Sequence, residues 1–360
     1  MRNTHFVIVL IITTIALSAN SCKKDTESTE TPDAPYTLDI GAFPPPSIAQ
    51  DNPLTREGVK LGRMLFYEKK LSRTNTQSCA SCHMQQFAFN DTAQFSIGCK
   101  QFAGGRNAMS VFNMAWHTNE FFWDGRAHLL RHQSLKPIQD NLEMDETLNN
   151  VVNKLQSSSN YPNQFRKAFG TTQIDTILIS KALEQFMNSI VSNHSKYDDY
   201  LTGAYTLTAQ EERGRYLFFT EYNPGFPSTS GADCKHCHGG ANFENDKYMN
   251  NGIDDDLSVT DIGREKVTNL PADRAKFKVP SLRNVELTAP YMHDGRFQTL
   301  EQVVDHYNLV TNSTTLDASF LQQLPNGLQL SSSDKQALVA FLKTLTDQEL
   351  MTNPEYKSPF

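Results

Sequence analysis

Two short stretches of this chain carry redox-capable chemistry: Cys79-Ala80-Ser81-Cys82-His83 and Cys234-Lys235-His236-Cys237-His238. Both read Cys-x-x-Cys-His. Two thiols at that spacing can form thioethers to a porphyrin edge, and the adjacent imidazole can then become an axial iron ligand. Four of the six cysteines are used this way, so the pattern implies two covalent c-type haems. Two alternatives use the same residues. A disulfide would close each pair on itself, and a zinc module would bring both pairs together in one small domain. The wide separation of the pairs and the His directly after each favour haem.

The surroundings of the motifs repeat. Gly62-Arg63-Met64-Leu65-Phe66 precedes the first and Gly214-Arg215-Tyr216-Leu217-Phe218 the second. Downstream, Trp123-Asp124-Gly125-Arg126 matches His293-Asp294-Gly295-Arg296. Each half therefore reads as one helical unit around one haem. Eleven residues after Arg126 stands Pro137, and eleven after Arg296 stands Tyr307. Proline offers iron no side-chain donor, whereas tyrosine offers a phenolate oxygen. The repeat thus predicts an open haem in the first half and a closed one, ligated by His238 and Tyr307, in the second. The alternative keeps Tyr307 as packing and gives the iron to Met292 or Met249.

These sites need elements to hold them. Helical spacing recurs in Val59, Met64 and Leu65, in Ile174, Ile177, Leu178, Leu183, Phe186 and Ile190, and in Leu328, Leu330, Leu338, Phe341, Leu342 and Leu345. Alternating β-branched runs are scarce, so the fold class is mainly α with long loops. Formal net charge is −7 and no basic run occurs, which argues against nucleic acid as a partner. At the N-terminus, Arg2, the apolar run Phe6 to Leu17 and small residues up to Cys22 read as a secretory signal over 1–21. Cys22 stands where a lipoprotein peptidase would leave a lipidated first residue, with simple cleavage as the alternative. Residues 22–45 then form a polar tether. About 310 residues remain, enough for two domains, placed at 46–205 and 206–360.

The motifs together resemble bacterial di-haem cytochrome c peroxidases and the related methylamine-utilisation di-haem enzymes. The resemblance rests on Leu71-Ser72, the two haem motifs, Arg106-Asn107, Phe122-Trp123-Asp124-Gly125-Arg126-Ala127, Pro137-Ile138-Gln139 and Glu143-Met144. It continues through Lys278-Val279-Pro280-Ser281-Leu282-Arg283-Asn284-Val285, Ala289-Pro290-Tyr291-Met292-His293-Asp294-Gly295 and Val303-Val304-Asp305-His306-Tyr307.

The resemblance implies two cytochrome c-like domains with one haem c each. The haem of Cys79, Cys82 and His83 would meet hydrogen peroxide, and the haem of Cys234, Cys237 and His238 would receive electrons from a small donor such as a cytochrome c. It further implies Trp123 between the haems, Glu143 as the distal proton shuttle beside Pro137, and a calcium ion held by Asn107, Thr288 and Pro290. Where the family has Met as second ligand of the electron-transfer haem, Tyr307 follows the methylamine-utilisation branch. Where classical members carry a distal His before the Arg-Asn motif, this chain has Cys99, which is expected to stay off the iron. The activity expected is peroxide reduction. Oxidation of residues in a partner protein and plain electron transfer are the alternatives. Export to the periplasm, a membrane anchor through Cys22 and a homodimer complete the expectations.

Overall fold

Thr55 accepts the backbone proton of Gly58 on its side chain and so starts α1 (Arg56–Tyr67). The computed structural model describes Met1 and residues 34–360; residues 2–21 of the expected signal lie outside the described residues, and so do Cys22 and residues 23–33 of the tether. After α1 come α2 (Leu130–Ser134), α3 (Lys136–Gln139), α4 (Leu148–Gln156), α5 (Tyr161–Phe169) and α6 (Thr176–Ser189). The second half adds α7 (Lys196–Thr202), α8 (Ala209–Phe219), α9 (Glu265–Thr268), α10 (Leu300–Asn308), α11 (Ser332–Lys343) and α12 (Gln348–Thr352). The one sheet among the described residues pairs β1 (Tyr248–Met249) antiparallel with β2 (Phe277–Lys278), Tyr248 opposite Lys278. Loops and 3-10 turns fill the rest, as a mainly α fold with long connections requires.

The repeat read from the sequence is a repeat of packing. In the first half α1 crosses α6, and in the second α8 crosses α11. The matched glycines sit at the crossings. A Cβ on Gly62 would run into the carbonyl of Ala182, and one on Gly214 into the carbonyl of Ala337. Each crossing seeds a core. Leu65, Phe66, Phe165, Ile179, Leu183 and Phe186 are among the fully buried residues of the first, and Leu217, Phe218, Leu338, Phe341 and Leu345 lie in the second. Leu350 and Tyr356, from the end of the chain, belong to the first core. The Tyr356 hydroxyl donates to Ser189 O at 3.1 Å, and Tyr67 donates to the Tyr356 carbonyl at 2.7 Å.

Two of the predicted apolar stripes are shorter in the fold than in the sequence. Ile177 lies on α6 but is 62% exposed, and Ile174 precedes the Asp175 cap. Leu328 and Leu330 come before α11, which starts only after its Ser331 cap. They pack against the second core from a loop.

The helix after the Asp-Gly-Arg triplet differs between the halves. In the second, α10 runs nine residues from its Thr299 cap and carries Tyr307 in its last turn. In the first, α2 stops after five residues, and Pro137 stands inside the separate turn α3. Proline lacks the N–H a continuing helix would use and crowds the preceding turn. The same residue that offers no ligand therefore also breaks the element that would have presented one.

Candidate haem-binding site

The two motifs have the same local geometry. Cys79–Ser81 and Cys234–His236 are 3-10 turns, and each closes with the His backbone N–H donating to the first Cys carbonyl, at 2.9 Å in both. His83 Nδ1 lies 3.1 Å from the Phe89 carbonyl. His238 Nδ1 lies 3.1 Å from the Pro280 carbonyl and 3.3 Å from that of Phe243. A carbonyl only accepts, so Nδ1 carries the proton and Nε2 keeps its lone pair for a metal. Burial holds both imidazoles neutral, with His238 pushed down to about 4. It also pushes the Cys79 and Cys234 thiols up to about 12. Cys79 packs against the first apolar core and Cys234 against the second, surroundings that suit a thioether better than a thiolate–metal bond.

A cavity of about 1360 Å³ reaches both motifs, with Cys82, His83, Cys234, Cys237 and His238 in its wall. All five described cysteines are free thiols, so neither pair is a disulfide. Nor are the pairs drawn together: among the described residues, the one His/Cys/Asp/Glu group close enough to share an ion is His117, Glu244 and Asp246. The donor set and the cavity thus fit two haems c and not a zinc module.

The residues expected to make the halves differ line the same cavity. Pro137 and Glu143 lie on the wall of the first half, and Tyr307, Met249 and Met292 on that of the second. Asn251 Nδ2 donates to the Tyr307 hydroxyl oxygen at 3.2 Å and to Met292 Sδ at 3.5 Å. Burial pushes the Tyr307 phenol up to about 12, against the Asn251 contact, which favours the phenolate. Burial also pushes the Glu143 carboxyl up to about 7; neighbouring Asp140 adds to the rise and Arg126 opposes it. The Glu143 loop is clasped from outside. Cys99 N donates to the Glu143 carbonyl at 2.7 Å, and Cys99 Sγ to that of Met144 at 3.2 Å. Cys99 is absent from the cavity wall, so its thiol is turned to the backbone.

Trp123 joins the two halves. Its indole N–H donates to the Asn107 carbonyl at 2.8 Å, and its own carbonyl accepts from Lys278 N at 2.7 Å. Asn107, Thr288 and Pro290 line the cavity together. Asn107 Nδ2 is turned to the carbonyls of Ala93 and Gln94, 3.2 Å from each. Asn90 Nδ2 donates to Thr288 O at 3.0 Å while its own buried Oδ1 has no partner. A carbonyl-rich corner with an orphaned amide oxygen is an environment a hard cation fits.

Three groups escaped the sequence reading. Gln133 faces the cavity beside Pro137; its place one helical turn before that proline was the available signal. Asn251 had none, because a lone Asn before Gly252 reads as a turn. His117 is clasped by Glu244 at 3.0 Å and Asp246 at 3.7 Å, and Asp246 also pairs with the fully buried Lys278 at 3.1 Å. That cluster ties the segment before Trp123 to the one after the second haem motif, and only the fold brings it together.

Comparison with known proteins agrees with this geometry. The family model described as di-haem cytochrome c peroxidase matches residues 56–206. The cytochrome c551 peroxidase of Nitrosomonas europaea is 33% identical over 309 residues, 85% of this chain and 84% of that protein. The methylamine utilization protein MauG of Methylorubrum extorquens is 34% identical over 298 residues, 82% of this chain and 79% of the relative. A solved structure of a MauG-like protein associated with microbial copper homeostasis superposes with a TM-score of 0.81 at 32% identity, covering 90% of this chain and 99% of the other.

Proposed function

The chain belongs to the di-haem cytochrome c peroxidase family, and on that premise we propose that it reduces hydrogen peroxide to water with electrons from a small redox protein. The observation that carries the reading is the asymmetry of the two walls: Pro137 beside Glu143 in one half, Tyr307 in the other. Cys79, Cys82 and His83 would hold the peroxide-facing haem c. Cys234, Cys237, His238 and Tyr307 would hold the electron-receiving one, so that residues 46–205 and 206–360 would carry one haem each. The packing departs from that division, with Leu350 and Tyr356 in the first core and Tyr197 in the second. When bound, these haems supply the iron that accepts peroxide and the redox equivalents of the reaction.

The chain's own groups do the rest. Pro137 would offer the haem of the first half no side-chain donor. Glu143 takes the proton from the nearer peroxide oxygen and returns it to the farther one, so that water leaves. Trp123, bonded to both halves, is the bridge for electrons. Asn107, Thr288 and Pro290 would hold a calcium ion between the halves; the orphaned Asn90 Oδ1 supports that assignment. Arg2 to Cys22 directs export to the periplasm, with lipid attachment at Cys22 and a homodimer as the assembly. Among the described residues, no helix is long and apolar enough to cross a membrane.

Tyr307 favours a second reading, oxidation of residues in a partner protein. An anionic oxygen ligand lowers a haem's potential relative to a thioether, which suits holding oxidising equivalents more than donating electrons. The test of the primary reading is ligand stoichiometry. Cyanide should bind one ferric haem per chain without prior reduction, and peroxide should be consumed with a reduced cytochrome c as donor. Two ferric haems that both refuse cyanide would mean a ligand closes the first site and would overturn the reading.

A further inference from the structure

The second haem pocket contains two side chains able to bind iron on one wall, held by one residue. Asn251 Nδ2 reaches Tyr307 Oη at 3.2 Å and Met292 Sδ at 3.5 Å. The phenol oxygen and the thioether sulfur are thus both held by one amide nitrogen, in residues that line the same cavity. Tyr307 comes from α10, whereas Met292 comes from the turn after Pro290, so two independent segments converge there.

The backbone at Met292 adds a second observation. Its φ is +74°, in the left-handed region that a non-glycine residue adopts only under strain. The repeat counterpart Phe122 has φ +69°. The strained turn is therefore common to both halves, and what differs is the side chain it presents. In the first half the ring of Phe122 is covered by the Arg126 guanidinium at 3.6 Å. In the second half a thioether takes that place and has Asn251 as its polar contact.

We propose that Met292 is a standby ligand of the second haem, exchanging with Tyr307 when that haem is reduced. The proposal rests on Tyr307 being the resting ligand, as read above. Phenolate oxygen is a hard, anionic donor and suits the ferric ion. Thioether sulfur is soft and neutral and suits the ferrous ion. On uptake of one electron from the donor protein, the Tyr307 oxygen leaves the metal and takes a proton from solvent, and the Met292 sulfur lone pair fills the position. Reoxidation reverses both movements. No covalent bond within the protein is made or broken, and Asn251 keeps contact with whichever group is released. The exchange gives one haem two potentials: low when it stores oxidising equivalents, higher when it passes electrons on.

The test compares optical and magnetic circular dichroism spectra of full-length holoprotein, wild type, Met292→Leu and Tyr307→Phe, each ferric and dithionite-reduced. Leu matches Met in volume and, like Met, is not β-branched; a melting curve establishes that the variant is folded. The expected result is a second haem that stays low-spin on reduction in wild type but becomes high-spin in reduced Met292→Leu, with the ferric spectrum of that variant unchanged. Ferric Tyr307→Phe should acquire the near-infrared band of histidine–methionine ligation. If Met292→Leu leaves the reduced spectrum unchanged while Tyr307→Phe alters the ferric one, the exchange is wrong and the Tyr307 assignment stands. If Tyr307→Phe leaves the ferric spectrum untouched and Met292→Leu alters it, Met292 is the resting ligand, and both the exchange and the Tyr307 assignment fall.

Discussion

At the scale of single residues, Glu143 has the sharpest consequence. Its carboxyl is pushed up to about 7 by burial, with Asp140 adding to the rise. A base must be deprotonated to receive the first peroxide proton, so the cleavage rate should climb as pH passes through about 7 and level off above it. Stability runs the other way. Between the ordinary carboxylate range and about 7 the folded protein holds a proton that the unfolded chain has released, so ionisation costs folding free energy as pH rises through that window. Glu143→Gln should slow peroxide cleavage by about a hundredfold at pH 8 and flatten the profile. It should also raise the melting temperature at pH 8 more than at pH 5. Stopped-flow rates and melting curves across pH 5 to 9 check both, and a variant that keeps the wild-type slope would remove Glu143 from proton transfer. The residue was legible in the sequence only through its motif, and its raised pKa was not. The rise comes from burial, which depends on the Cys99 clasp and on the cavity.

At the scale of elements, the two glycine crossings do what the repeated Gly-Arg-x-Leu-Phe suggested. Gly62→Ala sets two effects against each other. Alanine favours a helix interior by about 1 kcal/mol, but its methyl group would strike the carbonyl of Ala182, which belongs to α6 and cannot give without shifting that helix. Overpacking of this kind costs about 1–3 kcal/mol, so net destabilisation is expected, and Gly214→Ala against Ala337 should behave alike. Gly105→Ala, where an added Cβ meets nothing within 4 Å, should leave denaturant midpoints unchanged. Equal midpoints for all three variants would deny the crossings their role. Three of the helices, α1, α6 and α11, were readable from apolar spacing, and the repeat from its matched motifs. Helix boundaries were not: Leu328 and Leu330 share the spacing of α11, yet Ser331 caps the helix after them, and a side chain competing for a backbone proton is invisible to hydrophobic periodicity. Pro137 was read from the sequence only as a residue without a donor atom; the break between α2 and α3 that it causes, a local steric effect, emerged with the fold.

At the scale of the whole molecule, the question is what makes two cytochrome-like halves one machine. Polar contacts cross between them around Trp123. Arg106 pairs with Asp261 at 2.7 Å and also with Asp124 at 2.7 Å, and Arg264 pairs with Glu120 at 2.6 Å. Asn107 N donates to His293 O at 2.8 Å, joining the Arg106-Asn107 segment by its backbone to the residue before the second Asp-Gly-Arg triplet. The chain end adds a strap, since Arg63 of α1 donates to the carbonyls of Pro354 and Glu355 at 3.1 and 2.7 Å. None of these pairings could be read from one sequence, because each joins residues whose proximity only the fold creates. The proposed calcium ligands Asn107, Thr288 and Pro290 belong to the same seam, so an ion there would bind the folded protein and not the unfolded chain. At a hundredfold excess over its dissociation constant it would add about 2.7 kcal/mol of stability. Chelation should therefore lower the melting temperature and, by loosening the seam that holds Trp123 through the Asn107 carbonyl, slow electron transfer between the haems. Asn107→Ala should reproduce both effects and make the protein insensitive to chelator, while Arg106→Gln should weaken the seam but leave the calcium response intact. Calcium titration of metal-stripped protein, read by melting temperature and by flash-induced inter-haem transfer, separates these outcomes. Full stability and undiminished transfer in the stripped wild type would leave the seam to its ion pairs alone and remove the ion from the architecture.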